Sequence, residues 1–529
     1  MHNINSSIIK LIYNMYNKTT QAIKANNTLT TPFRTYVGVR QGCILGPKLF
    51  NIFINDIPDI FNKECTPAKM GNIEINCLMY ADDLIIVSET EKGLQNSLAK
   101  LKQYTKKWNL QVNMKKTKIM IFQNKGRRPR LTFRYGKEII EETKTYKYLG
   151  SIVTNTGNFK NNNNNMKKKG LRASFLVTQN IGKFSKASTA INIFEKIVEP
   201  ILLYNSEITQ AYIPKWNIEK FIKNIWSHGS ELNKVSLSFL RQILGVHKKT
   251  TNIALESETG KYPICLKIYS RIIKYWVRLH STENEMLKEA LKCNIQLNKD
   301  NKTSWTKIIE YLTQIMNINM TPNKDEKINN NIIKLFKQNI ETNYKEWWSS
   351  QAIPTGHNKL DFYYKFKKTF KYEKYLDNVP RNLRMYITRL RTSSHNLPIE
   401  TLRYKKDKKG QRIARENRSC NICNTEELGD EEHYIFTCKN HKMISARDKF
   451  ISNVKGRLDQ FTKMDNTNII RYCLIMHDDN VQSQMAEFAK EILCSYKEES
   501  MEIENENIEN STTLTRSGRE GKKKEKLNL

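Results

Sequence analysis

The segment "LMYADDLIIVS" at 78–88 places Asp82 and Asp83 side by side between two apolar runs. Two β-rich runs around a short polar break read as a hairpin. Burying adjacent bare carboxylates inside a strand is costly, so the turn must hold Ala81, Asp82 and Asp83. A tight turn presents both carboxylates to one point while its strands anchor them. Hard oxygen ligands of this kind suit Mg²⁺ or Mn²⁺. In two-metal sites, ions about 3.5–4 Å apart activate an attacking hydroxyl and steady a leaving pyrophosphate. An isolated Asp-Asp in a turn is usually just solvated, so the surrounding chain has to decide.

Charge narrows the choice of partner. Among 529 residues, 88 Lys+Arg stand against 53 Asp+Glu, a net +35. Such an excess favours a polyanion, nucleic acid ahead of an anionic membrane surface, because neutralised phosphates release counterions. At 39% hydrophobic and 10% aromatic, the chain is long enough for two to four domains with real cores. No apolar run approaches the roughly 20 residues of a spanning helix, and "MHNINSSIIKLIYNMYNK" is too polar for a signal peptide. The ten cysteines are mostly isolated, which implies free thiols in a reducing compartment. The expectation is therefore a nuclear or cytoplasmic protein, not secreted and without a transmembrane segment.

The chain divides by pattern. "SSIIKLIYNMYNKTTQAIKANN" has helix-spaced apolar residues ending in Asn, and "TPFRTYVGVRQGC" alternates like a strand. "GPKLFNIFINDIPDIF" predicts a helix opened by Pro47 and stopped before Pro58. "GLQNSLAKLKQYTKKW" predicts a helix with Leu94, Leu98, Leu101 and Trp108 on one face, and "KIMIFQ" and "TYKYLGSIV" predict strands. From about 165 to 410 the pattern is mainly helical, with Trp216, Trp226 and Trp276 as core residues. The run "NNNNN" at 161–165 carries no functional reading. The polar end, "EESMEIENENIEN" then "GREGKKKEK", has the composition of a disordered tail; "GKKKEK" at 521–526 is a weak nuclear-localisation candidate.

"YADD" at 80–83, with "GVRQGCILGPKLFNIFINDI" at 38–57 before it and "LQVNMKKTKIMIF" at 110–122 after it, resembles the reverse transcriptase of non-LTR (LINE-type, Jockey-like) retrotransposons. "YKYLGSIV" at 146–153 looks like that family's primer-gripping hairpin. "IVEPILLYNSEI" and "LRQILGVHKKTTNIALESETGKYPICLKI" look like its helical region beyond the palm. The resemblance covers residues 1 to about 440, with motifs in the family's order. It implies a nucleotidyltransferase acting as RNA-directed DNA polymerase, with an RNA template, a DNA primer or target, and deoxynucleotides. Asp82 and Asp83 would then be catalytic Mg²⁺ or Mn²⁺ ligands. Gln41 and Gly42 would meet the templating base and incoming nucleotide. Tyr80 would lie beneath the primer terminus, and Asn113, Lys116 and Thr117 match the family's next nucleotide-binding motif, whose lysine would lie near the pyrophosphate. Gly46 stands where many relatives have serine.

The family also supplies a third aspartate from a strand just before the segment matching "SIIKLIYNMYNKTT", and this chain starts at Met1, after that point. Asp56 and Asp59 are the nearest upstream acids, placed where neither can replace it. The reading is thus an N-terminally truncated enzyme, weak or inactive as it stands. The alternative is a non-catalytic RNA- or DNA-binding remnant; a domesticated host scaffold has no positive support.

"CNICNTEELGDEEHYIFTC" spaces Cys420, Cys423, His433 and Cys438 as C-x2-C-x9-H-x4-C. A Cys-x2-Cys knuckle closed by a His and a Cys one helical turn apart predicts a structural Zn²⁺ site. Its pattern also looks like the cysteine–histidine motif that closes many LINE-type proteins. A redox pair is disfavoured because no βαβ pattern surrounds it, and His441 is a substitute ligand. His228, His247 and His477 have no ligand-like partners nearby. Just upstream, residues 359–418 hold 18 Lys+Arg against 6 Asp+Glu, with nine Phe or Tyr interleaved. The aromatics favour the core, whereas the charge excess favours nucleic-acid contact.

The expected architecture is α+β and predominantly helical, a partial right-hand polymerase palm followed by helical regions and a zinc module. The segments are 1–158 for fingers and palm, 159–285 thumb-like, 286–410 connection, 411–445 zinc module, 446–498 terminal helices and 499–529 tail.

Overall fold

The computed structural model describes residues 4–17, 19–36, 38–40, 42–122, 131–180, 186–211, 217–227, 230–300, 304–351, 359–407, 409–423, 425–476 and 478–525. Gln41, Trp216, His228, His477 and the side chains of 521–526 lie outside that description. Helices dominate and the sheets are small, so the fold is α+β. No described helix is long and apolar enough to cross a membrane. The chain forms two compact units, Met1–Tyr146 and Lys147–Leu529.

In the first unit, the expected opening helix ends at Tyr16. Asn26 and Asn27 adopt φ 47° and 63° and turn a short hairpin, Lys24–Ala25 with Thr28–Leu29. Asparagine tolerates this left-handed geometry, which suits a two-residue hairpin turn and not a helix end. The strand expected around residue 33 shrinks to Phe33–Arg34, paired with Thr20–Gln21. The Pro47 helix spans Gly46–Phe53 and gives way to a 3-10 turn at Ile57–Ile60, because Pro58 lacks the N–H an α-helix needs.

The helix Glu91–Lys107 starts where the Thr90 hydroxyl accepts the Gly93 N–H at 3.0 Å. Its buried face is Leu98, Leu101 and Tyr104. Trp108 does not join them: it is the C-cap residue, 39% exposed, with its ring edge-on to Phe53 at 5.6 Å. Beyond the helix, Glu138–Glu142 is the middle strand of three, antiparallel to Phe133–Tyr135 and parallel to Lys118–Ile119.

The second unit includes the Ser151–Thr154 strand, entered through Leu149 and Gly150 at φ 43° and 83°. The asparagine run supplies its brace. Asn162, fully buried in the helix Lys160–Asn180, accepts the Ile152 N–H at 3.0 Å. From Met166 to Tyr496, buried apolar side chains join one continuous cluster, with Trp226 and Trp276 packed against its rim. That cluster crosses every boundary expected between 159 and 498, and it includes Cys420 and Cys438. The last helix, Gln482–Glu525, continues through the acidic stretch expected as a tail. Glu and Lys are good helix formers, so local propensity is compatible with that continuation.

Two glutamates in the buried helix Asn252–Thr259 are held in opposite states. Glu256 takes bonds from neutral donors, Tyr344 Oη at 2.9 Å and Asn233 Nδ2 at 3.3 Å. Burial therefore dominates and pushes its carboxyl up to about 7. Burial also opposes ionisation of Glu258, but Arg391 and Lys367 outweigh it and hold that carboxyl below its usual range. A raised carboxyl favours the folded state fully below pH 4.5, and the benefit is lost as pH climbs through 7. Glu256→Gln is therefore expected to stabilise the protein at pH 8 by about 1–3 kcal/mol. It should also flatten the stability profile between pH 5 and 8. Urea unfolding of both proteins across that range checks this; an unchanged slope refutes it.

Candidate active site and metal centre

The hairpin forms as expected. Cys77–Tyr80 pairs antiparallel with Asp83–Ile86, the register running from Cys77 with Ile86 to Tyr80 with Asp83. Ala81 and Asp82 are thus the two turn residues, and Ala81 takes φ 50°. That left-handed conformation strains a residue with a Cβ. It is tolerated here because both strands are anchored. Cys77, Met79, Leu84 and Ile86 pack on Ile54, Ile57, Phe61, Cys65 and Tyr104. Tyr80, Asp82 and Asp83 remain exposed.

The neighbouring motifs share this scaffold. Leu84 and Ile86 also lie against the cluster that Val112, Met114 and Ile121 join, so the hairpin and the 110–122 segment are parts of one body. Asn113 organises a turn there: its carbonyl accepts the N–H groups of Lys116 (3.1 Å) and Thr117 (3.0 Å), and the Thr117 hydroxyl at 3.0 Å. Asn113 and Thr117 thereby shape the loop, and Lys116 is exposed. Gly42, at φ 81°, has nothing within 4 Å of a virtual Cβ, leaving space for a ligand to approach the backbone.

Among the described residues, no third carboxylate joins the pair in a metal-ligand group. Among the described residues, the one group of three or more ligand atoms that could share a metal is the Cys/His cluster. Asp56 is engaged elsewhere, accepting the Tyr104 hydroxyl. Asp59 sits in the first turn of Ile57–Ile60.

At the Cys/His cluster, one ligand atom each from Cys420, Cys423, His433 and Cys438 lies within 4.8 Å of all the others. The spacing works through a different turn from the one expected. His433–Thr437 is a π-helical turn, and the Cys438 N–H reaches the His433 carbonyl at 2.8 Å. An i to i+5 bond, unlike an α-helical turn, brings residues five apart onto one side.

His433 is oriented from behind. Its Nδ1 lies 2.6 Å from Glu427 and 3.1 Å from Thr437 Oγ1, leaving Nε2 at 3.3 Å from Cys423 Sγ. This carboxylate–histidine arrangement is the one that fixes metal-binding imidazoles. Contact with Cys438 is the main cause that lowers the Cys420 thiol to about 3. Burial opposes the charge on His433, yet the Cys420 and Cys423 sulfurs raise it to about 9. Three sulfurs and an imidazole converging in this way fit Zn²⁺. His441, exposed at the start of the helix His441–Val454, is not a member.

Sequence comparisons bear on the part of the chain that holds the hairpin. Residues 1–153 match the family model for reverse transcriptase (RNA-dependent DNA polymerase). The chain is 27% identical over 183 residues to the RNA-directed DNA polymerase from mobile element jockey of Drosophila melanogaster, covering 32% of this chain and 19% of that protein. To its counterpart in Drosophila funebris it is 25% identical over 260 residues, 47% of this chain and 26% of the relative. A retrovirus-related Pol polyprotein from type-1 retrotransposable element R2 of Nasonia vitripennis is 28% identical over 146 residues, 26% of this chain and 14% of the relative. Residues 1–153 carry a reverse transcriptase domain similar to those of non-LTR retrotransposons. The chain spans about 14–26% of the length of these three relatives.

In the second unit, the basic stretch 359–418 is mostly spent on the fold. Phe362, Tyr363, Tyr364, Phe370 and Tyr375 are buried, as the aromatic pattern suggested. Much of the charge is buried or paired too. Arg391 pairs with Glu258 at 3.0 Å and Lys367 with Glu373. Lys359 pairs with Glu400 at 2.8 Å and Lys365 with Glu432 at 2.6 Å. Arg384 and Arg418 donate to backbone carbonyls. The excess read as a nucleic-acid clamp thus shrinks to its exposed remainder. Sequence reading also missed a buried pair beside the metal centre, His395 Nε2 with Glu431 at 2.8 Å. An adjacent Glu in "GDEEHY" is the only local signal for it.

Proposed function

We propose that this chain is part of an RNA-directed DNA polymerase acting on a primed template. One observation carries the reading. Asp82 and Asp83 sit exposed on a hairpin turn whose strands share cores with the helix Gly46–Phe53 and the 110–122 segment. In this reading, 1–158 is a partial palm and 159–285 a thumb-like region. Residues 286–410 form a connection, and the Cys₃His cluster is a structural zinc site.

Asp82 and Asp83 would hold Mg²⁺ or Mn²⁺, which when bound neutralises phosphate charge and acidifies an attacking hydroxyl. The chain's own groups do the positioning. Tyr80, exposed next to the turn, offers a flat surface beneath a primer end. Gly42 lets backbone approach a nucleotide, Gln41 beside it meets the templating base, and Lys116 offsets pyrophosphate charge. Two carboxylates hold one cation loosely and two poorly, so these 529 residues expressed alone are proposed to be a weak polymerase.

Primer extension on poly(rA)/oligo(dT) with Mg²⁺ or Mn²⁺ tests both parts. The chain alone is expected to extend at least about a hundredfold less than the same chain joined to a jockey-type segment bearing the first palm aspartate. Asp82→Asn should abolish extension by the joined protein. Robust extension by the chain alone, lost on Asp82→Asn, overturns the two-carboxylate reading. No extension by the joined protein favours the second reading, a nucleic-acid-binding remnant.

A further inference from the structure

We infer that the basic finger formed by 405–407 and 409–413, with Tyr404 at its base beside Lys249, is a contact for single-stranded nucleic acid. This rests on the reading above that the chain handles nucleic acid, but not on catalysis. Lys405, Lys406, Lys409 and Arg412 are all exposed, and none forms an ion pair with a described residue. They differ in this from the buried or paired cations elsewhere in 359–418.

The finger is built, not draped. Lys406 and Arg412 form an antiparallel bridge, and the Ile413 N–H returns to the Lys405 carbonyl at 3.2 Å. Asp407, its one acid, is used internally: its Oδ1 accepts the N–H groups of Lys409 (2.9 Å) and Gln411 (2.8 Å). Gly410, at φ 77°, completes the turn. From below, Arg418 donates to the Ile413 carbonyl at 3.0 Å.

Tyr404 makes the surface selective. It is 48% exposed, and Lys249 Nζ sits 4.1 Å from its ring centroid. Lys249 is itself held in place, its carbonyl accepting Lys359 Nζ at 3.5 Å while Lys359 pairs with buried Glu400. Arg403 pairs with the same carboxylate at 2.8 Å. An exposed ring among cations is the pairing that binds an unpaired base by stacking and its backbone by charge. Duplex DNA keeps its bases stacked on one another and offers nothing to the ring. The partner is therefore a single strand.

Fluorescence anisotropy with the full 529-residue chain tests this, using dye-labelled 20-nucleotide oligo(dT) and a duplex of equal length. The variant Lys405→Glu/Lys406→Glu/Lys409→Glu/Arg412→Glu should bind oligo(dT) at least about tenfold more weakly and flatten the salt dependence by roughly three units of slope. Lys299→Glu/Lys327→Glu/Lys334→Glu/Lys337→Glu, exposed cations elsewhere in the unit, should have a much smaller effect. Tyr404→Ala should weaken oligo(dT) about tenfold while leaving duplex binding within about twofold. Equal loss in both charge variants, or a Tyr404→Ala effect that is absent or the same on duplex, overturns the inference. Circular dichroism confirms that each variant is folded. Absent primer extension by the joined protein, with intact Tyr404-dependent binding, sinks the polymerase reading and leaves this contact standing.

Discussion

Removing zinc is expected to lower the thermal midpoint of the helical unit by roughly 10 °C, an effect of several kcal/mol. The size follows from where the four ligands sit. Cys420, His433 and Cys438 are buried, and both cysteines belong to the cluster that also contains Met443, Phe450, Phe488 and Tyr496. Around the site, Asn440 donates to the Ile422 carbonyl at 3.2 Å and to Glu499 at 2.8 Å, tying the knuckle to the last helix. Without metal, three thiols and an imidazole must be packed together with mismatched charge, and these ties loosen. One zinc per chain, measured by atomic emission, and a chelator-lowered melt restored by zinc would agree. Cys423→Ser isolates the metal contribution, because Cys423 is the least buried of the three thiols. Metal-free protein with an unchanged melt would sink the prediction.

Arg391→Met alone should destabilise the protein by about 3 kcal/mol, and adding Glu258→Leu should recover much of that loss. Arg391 is fully buried, donating to Glu258 Oε1 at 3.0 Å and to the Leu474 carbonyl. Glu258 in turn accepts the Tyr375 hydroxyl. Removing one member strands the other as a buried charge, whereas removing both leaves an apolar gap. A double-mutant cycle by urea unfolding should therefore show coupling of about 2 kcal/mol or more; additive values refute it. Because the Glu258 carboxyl is depressed, its stabilisation is present above about pH 4.5 and fades below it. Glu256 carries the opposite sign, so the two together should place maximal stability at mildly acidic pH.

Several features were legible because they depend on neighbours in the chain. Asp82 and Asp83 between β-rich runs predicted the hairpin, and the observed register closes on Tyr80 and Asp83. The C-x2-C-x9-H-x4-C spacing marked four residues whose ligand atoms do converge. The aromatic residues of 359–418 were read as core, and five are buried. The order of the motifs predicted the reverse transcriptase domain that residues 1–153 match.

What stayed hidden depends on partners far along the chain. Arg391 and Glu258 are 133 positions apart, so local composition suggested a nucleic-acid-facing basic stretch where the fold has a buried ion pair. The π-helical turn at His433 is a choice of hydrogen-bond register that side-chain spacing does not encode. The extent of the core was hidden for a similar reason: one apolar cluster runs from Met166 to Tyr496 through stretches whose compositions differ. Sequence alone determined which groups could do chemistry, since carboxylates, thiols and imidazoles are covalent facts of the chain. Tertiary structure decided which charges are spent in the core and which, like those around Tyr404, are left facing water, because burial and pairing are set by packing across long separations.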